Sequence, residues 1–233
     1  MSGDGRDRES LDQYKRDAAL AAVAAEVRDG MFVGLGSGST AAYAVQEIGR
    51  RIREDRWHIR GVPTSERTAV LAREAGIPLV PLDGAPDVVI DGADQIDPGL
   101  AIVKGGGGAH AREKIVASAS KRVVIIADYT KAVARLTGPV PLEVLPFAVQ
   151  WIPRALAARV PRSETRLRMY EGRPFATDNG NAVIELVCGG IDDPVELAAA
   201  LDAIPGVVEH GLFIGIASIV YFAGPEGIKV ARI

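Results

Sequence analysis

At 233 residues, 48% hydrophobic and 24% charged, the chain can bury one sizeable core, or a larger domain together with a small one. A net charge of −3 with acids and bases interspersed leaves no basic stripe for nucleic acid and no polybasic anchor for a membrane. Cys188 is the sole cysteine, so no intrachain disulfide is possible and a reducing, cytoplasmic compartment is expected; no apolar run approaches the roughly 18 residues of a membrane span.

Met1 to Arg8 is polar, lacks the apolar core of a leader and predicts a disordered start. Leu11 to Val27 is alanine-rich with apolar residues at helical spacing, and Asp29-Gly30 stops it. Met31 to Leu35 reads as a buried strand, followed at once by Gly36-Ser37-Gly38-Ser39-Thr40 and a helix from Ala41 to Arg53. This order brings backbone N–H and side-chain O–H donors to a helix N-terminus, which suits phosphate or sugar hydroxyls; plain capping by Ser39 accounts for the same residues. The turn is no P-loop, because the lysine that motif needs is missing. Ile59 to Val62 predicts a strand, Pro63 to Thr68 opens a helix to Ala75, and Ile77 to Val80 predicts another strand. Asp87 to Ile90 follows as a strand ending in Asp91-Gly92-Ala93-Asp94-Gln95-Ile96-Asp97. Asp91 and Asp94 in a tight turn can hold sugar hydroxyls or relay protons, and an Asx-turn with solvated acids is the other reading. His58, His110 and His210 are far apart in the chain, which argues against a transition metal, so no metal is assigned.

Ile102 to Ala117 holds Lys104, the four glycines Gly105 to Gly108 and Glu113. Glycines let a ligand approach backbone N–H groups closely, and ordering four of them costs more chain entropy than any other four residues. Because strand and helix patterns flank it, the loop is read as an anion or oxyanion site feeding a helix from Ala109 to Ser120 rather than as a linker. A glutamate in a first helical turn is ordinarily a surface charge that complements the helix dipole, and Glu113 taken alone fits that description. Val123 to Ala127 is a further strand, closing on Asp128-Tyr129-Thr130-Lys131. Ser37 to Thr40, Asp91 to Asp94, Lys104 to Glu113 and Lys131 thus follow strand ends or open helices, where ligands bind in an open parallel sheet.

After Gly138 the pattern shifts, with prolines at 139, 141, 146, 153 and 161. Thr165 to Tyr170 alternates like a strand, Thr177-Asp178-Asn179-Gly180-Asn181 reads as a hairpin turn, and Ala182 to Val187 is the returning strand. Asp193-Pro194 starts a helix to Ala203, Val207 to Glu209 follows, and the apolar runs Leu212 to Phe222 and Ile228 to Val230 return to the first sheet. The expectation is an α/β domain with a Rossmann-like open parallel sheet and helices on both faces, residues 1–135 and 211–233, plus a smaller inserted α+β domain, 136–210.

Gly34-Leu35-Gly36-Ser37-Gly38-Ser39-Thr40, Asp91-Gly92-Ala93-Asp94, Lys104-Gly105-Gly106-Gly107 followed by Arg112-Glu113-Lys114, and Thr177-Asp178-Asn179-Gly180-Asn181, in this order and spacing, resemble the ribose-5-phosphate isomerases of type A over nearly the whole chain. The resemblance implies a cofactor-free enzyme of the pentose phosphate pathway, usually a homodimer or homotetramer, acting on a small sugar phosphate. It makes Glu113 the proton acceptor. Ser37, Gly38, Ser39, Thr40, Asp91, Gly92, Ala93, Asp94, Lys104, Gly105, Gly106, Gly107 and Lys131 become substrate contacts. Gln95 departs from the family's common glutamate, and Ala109-His110-Ala111 from a more apolar or hydroxyl-bearing stretch. Moving a proton from C2 to C1 through an enediolate needs one carboxylate and a donor for the oxyanion, for which Glu113 and Lys104 with the loop amides suffice; Asp91 and Asp94 are left for hydroxyls and ring opening. Two alternatives follow from the residues. Gly106-x-Gly108-x-x-Ala111 with Asp128 loosely matches a dinucleotide fingerprint, and a non-catalytic sugar-phosphate sensor can share the fold.

Overall fold

The computed structural model describes residues 3–232. In chain order it forms α1 (Gly3–Glu26), β1 (Phe32–Leu35), α2 (Ser39–Glu54), β2 (Arg60–Pro63), α3 (Glu66–Glu74), β3 (Val88–Gly92), β4 (Gln95–Ile96), β5 (Ile102–Val103), α4 (His110–Ala119) and β6 (Val123–Asp128). It continues with β7 (Val140–Val144), α5 (Ile152–Arg159), β8 (Glu164–Leu167), β9 (Met169–Tyr170), β10 (Arg173–Pro174), β11 (Ala182–Val187), α6 (Pro194–Asp202), β12 (Val207–His210), β13 (Leu212–Phe213), β14 (Ile219–Gly224) and β15 (Gly227–Arg232). The disordered start expected for Met1 to Arg8 lies outside the described residues for the first two positions, and from Gly3 on the chain is already helical.

Two compact units result. One gathers the chain through Ala93, Arg112–Lys131 and the residues from Ile216 on; the other gathers Asp94–Ala111 and Ala132–Gly215. The first is built on a six-stranded sheet of order β15-β14-β6-β3-β1-β2, parallel except for the β14–β15 hairpin at one edge. Its inner strands β1, β3 and β6 are buried at every position, as continuous apolar runs in a parallel sheet covered on both faces should be. Alanines and valines of α1, among them Ala18, Ala22 and Val23, join Val33, Ile48 and Ile126 in one core. The strand expected at Ile77 to Val80 shrinks to a bridge between Gly61 and Leu79, since Pro78 has no N–H with which to extend the ladder.

The second unit holds a four-stranded antiparallel sheet of order β12-β7-β11-β8 and a three-stranded sheet of order β13-β5-β4. Val140, Leu142 and Val144 alternate with Pro141 and Glu143 along β7, and the aliphatic set packs with Ile184, Ile152, Leu156 and Leu201. The prolines around β7 hide it from pattern reading. Pro141 is tolerated because it sits just past Leu142, where the ladder to β12 ends at His210. The run from Leu212 does not return whole to the first sheet: Leu212 and Phe213 pair with Val103 and Ile102, and only β14 and β15 rejoin the parallel sheet. Residues 94–111 therefore sit with the smaller unit, although the sequence pattern leaves them with the larger one.

Candidate active site

In the larger unit the chain passes from β1 outward to β2 and then back across β1 to β3, so β1 and β3 flank the point where the strand order reverses. The turn after β1 and the end of β3 are fastened to each other there. Gly36 N–H donates to Ile90 O (3.0 Å) and Ser37 N–H to Asp91 Oδ1 (3.1 Å), which also accepts from Gly92 N–H (2.7 Å). A methyl group on Gly36 would lie 2.3 Å from Asp91 Oδ1, so only glycine permits this approach. Asp91 is buried.

The Ser37 hydroxyl faces inward. Its Oγ lies 2.8 Å from Thr64 Oγ1, 2.8 Å from Ser65 Oγ and 3.1 Å from Thr68 Oγ1, while Thr68 Oγ1 donates to Gly36 O (3.0 Å). Sequence reasoning sees Pro63 to Thr68 only as a helix start, and Ser65 does cap α3 through Thr68 N–H; the hydroxyl cluster that locks the Ser37 turn from behind leaves no periodic signal. Ser39, by contrast, is no cap. The N-cap of α2 is Gly38 at φ 93°, with no side-chain cap, so the first amides of the helix, at Ser39 and Thr40, face an open end where an anion is favoured. Asp128 ends β6 and accepts from Thr130 N–H (3.0 Å), shaping the turn that carries half-buried Lys131.

Glu113 stands in the first turn of α4 and is only 5% exposed. Dipole complementarity at a helix start yields about 0.3–1 kcal/mol, whereas taking a carboxylate out of water costs several kcal/mol, so a merely favourable charge would stay at the surface. The neighbouring Arg112 does behave as a surface residue, pairing with Glu66 at 2.9 Å.

In the smaller unit, β4 and β5 form a hairpin that brings Asp94 to the glycine loop: Asp94 N–H donates to Val103 O (2.9 Å) and Asp94 Oδ2 accepts from Gly106 N–H (2.9 Å). All three acids of the 91–97 turn accept backbone N–H groups; Asp97 accepts from Ala101 N–H (2.8 Å). Lys104 is buried, its backbone N–H donates to Gly211 O (2.8 Å), and its Nζ lies 5.6 Å from the centre of the Phe213 ring, a contact that supports a desolvated ammonium. Gly105 and Gly108 take φ 103° and 77°, conformations that favour glycine; Gly106 and Gly107 are exposed. The Thr177–Asn181 turn rests on buried Glu143, whose Oε1 accepts from Thr177 Oγ1 (3.0 Å), Asn179 Nδ2 (2.9 Å) and Asn181 Nδ2 (2.8 Å).

The dinucleotide reading fails on geometry. A fingerprint loop must follow an inner strand of a parallel sheet, and Gly106 to Ala111 follows β5, a two-residue strand paired antiparallel on both sides. Among the described residues, Asp202, Glu209 and His210 bring possible ligand atoms within 4.8 Å of one another. His210 Nδ1 accepts from Leu212 N–H (3.2 Å), which leaves the ring proton on Nε2, 3.1 Å from Asp202 Oδ1; an ion there would have to displace that proton.

The larger unit is an open Rossmann-like sheet with an uncapped helix start at its switch point, and the smaller unit carries a buried lysine and an acid-tied glycine loop, features in keeping with an α/β enzyme of small anionic substrates. A family model described as ribose 5-phosphate isomerase A (phosphoriboisomerase A) matches residues 60–227. The ribose-5-phosphate isomerase A of Chloroflexus aurantiacus is 50% identical over 225 residues, 94% of this chain and 93% of that protein. The solved ribose 5-phosphate isomerase A from Methanocaldococcus jannaschii is similar with a TM-score of 0.91 at 39% identity, over 96% of this chain and 100% of that one. A D-ribose-5-phosphate isomerase solved in complex with phospho-erythronic acid gives a TM-score of 0.92 at 38% identity, over 96% and 99%. The chain belongs to the ribose 5-phosphate isomerase A family, the aldose–ketose isomerases of ribose 5-phosphate.

Proposed function

We propose that the chain interconverts D-ribose 5-phosphate and D-ribulose 5-phosphate through an enediolate, with Glu113 moving the proton between C2 and C1. The observation that carries this reading is the burial of Glu113, 5% exposed in the first turn of a helix that follows four glycines. A carboxylate kept from water there meets the requirement for a base that later returns its proton as an acid. Lys104 supplies the cation for the developing oxyanion, with the glycine-loop amides beside it in the chain. The open N-terminus of α2 takes the phosphate or the hydroxyls nearest it, and Asp91 and Asp94, with Lys131, take the remaining polar groups of the sugar. The complex of a relative with phospho-erythronic acid supports a ligand of this chemistry, a phosphate on a hydroxylated acid.

The reaction so written calls for no metal and no organic cofactor. A homodimer or homotetramer in the cytoplasm accompanies this reading. Leu145, Phe147 and Trp151 expose apolar side chains along one short stretch, and no helix among the described residues is long and apolar enough to cross a membrane. The test is isomerisation in deuterated water. Where the proton held on Glu113 exchanges with solvent before it is returned, deuterium appears at C1 of the ketose and C2 of recovered aldose, which a direct hydride shift cannot give; product free of solvent deuterium together with an undiminished rate in Glu113→Gln would rule out the carboxylate base.

A further inference from the structure

We propose that Arg168 is a positioning residue for this reaction: it holds two successive peptide planes of the glycine loop and so aims the Gly107 amide at the substrate. The inference rests on the reading that loop amides touch substrate. Arg168 Nη1 donates to Gly105 O (3.0 Å) and to Gly106 O (3.2 Å). Its Nε donates to Glu185 Oε1 (2.6 Å), and Nη2 pairs with the same carboxylate. The backbone beneath is fixed as well, since Arg168 N–H donates to Val183 O (2.9 Å) on β11. Phe175 lies under the guanidinium at 5.5 Å, and it also packs where a methyl group on Gly108 would come within 2.4 Å of its ring.

In a trans peptide the C=O and N–H point in opposite directions. The plane joining Gly105 and Gly106 is held at both ends, its oxygen by Arg168 and its N–H by Asp94. The next plane has its oxygen on Arg168, so the Gly107 N–H points to the opposite side. Glycines resist such ordering more than any other residue, and an outside restraint is what a run of four requires. Because Glu185 neutralises Arg168, the guanidinium adds no net charge for a phosphate; it turns two carbonyl acceptors away and leaves the loop presenting donors. That sets it apart from an anchor, whose loss would raise KM.

Arg168, Glu185, Asp94 and Gly106 line a cleft of about 330 Å3, room enough for a small guanidinium to re-enter. Arg168→Ala should lower kcat by about 10- to 100-fold, the effect of a displacement near one ångström, with KM within about twofold. Added methylguanidinium should restore part of the rate, and deuterium exchange of the loop amides should quicken. Arg168→Lys should recover little, because one ammonium cannot span both carbonyls and Glu185. Unchanged kcat with quickened loop exchange would overturn the proposal and the loop's part in the proposed function with it. A fall in kcat with loop exchange unchanged would overturn the positioning role alone. A rise in KM at constant kcat would make Arg168 an anchor and also refute it. If Arg168→Ala does not fold, Glu185→Gln keeps both side-chain volumes and carries the same readouts, and unchanged kcat with unchanged loop exchange in that variant refutes the proposal.

Discussion

Replacing Glu113 by glutamine separates a base from a surface charge more cleanly than any other substitution. The two side chains have the same shape, so the helix and its packing are retained. A glutamate that merely complements the helix dipole would lose about 0.3–1 kcal/mol of stability as glutamine and nothing in turnover. Glu113 is 5% exposed, and the isosteric amide keeps its place in that packing, so the melting curve serves to show that the variant is folded. Loss of a positioned general base lowers the rate by about 10² to 10⁴, or roughly 3 to 5.5 kcal/mol of barrier. The expected result is thus a folded variant whose kcat collapses while substrate still binds. Ketose formation and exchange of the C2 hydrogen with deuterated water are measured on the same preparation, after its melting curve shows it folded, and both should fall together. A folded glutamine variant within tenfold of the parent would refute the assignment and move the base elsewhere, with Asp91 the next candidate.

Lys104→Ala should mainly lower kcat, by about 10² to 10³ or roughly 2.7 to 4 kcal/mol, as one preorganised donor to an oxyanion is lost; a change confined to KM would make Lys104 a phosphate anchor. Activity should survive EDTA in full, and a loss reversed by one added divalent ion would show that a metal is required. Tyr221→Phe removes a buried hydrogen bond to Glu26 (2.7 Å) and should cost about 1–3 kcal/mol of stability, a fall in Tm of roughly 2–12 °C, without changing kcat. Burial, and then the bond to Glu26, pushes the Tyr221 hydroxyl up to about 12, so its contribution is complete below the ordinary tyrosine pKa of about 10 and is lost as pH rises through 12; the phenylalanine variant should lack that alkaline loss, and an identical alkaline melting profile would refute it.

Local pattern was enough for the parallel sheet and for most of the residues proposed to act. Continuous apolar runs mark β1, β3 and β6, because strands buried on both faces tolerate no alternation, and each ends in a polar turn that can be named from the sequence. The glycine loop and Glu113 were legible for a similar reason: four glycines before a helix start have few purely structural uses. What a side chain does within those turns was not legible. Ser39 and Ser37 both read as donors or caps, and only the folded chain shows Ser37 turned into the hydroxyls of Thr64, Ser65 and Thr68 while the start of α2 stays uncapped. Glu113 taken alone reads as a surface charge, and its role as proton acceptor came from the resemblance; its burial was not legible, because burial depends on what covers a residue and not on its neighbours in the chain. Arg168 carries no sequence signal at all. Its partner Glu185 is brought to it by the antiparallel pairing of β8 with β11, while Gly105 and Gly106 follow a strand of the separate β13-β5-β4 sheet, and pairing and packing between distant segments are decided by faces that no local window contains.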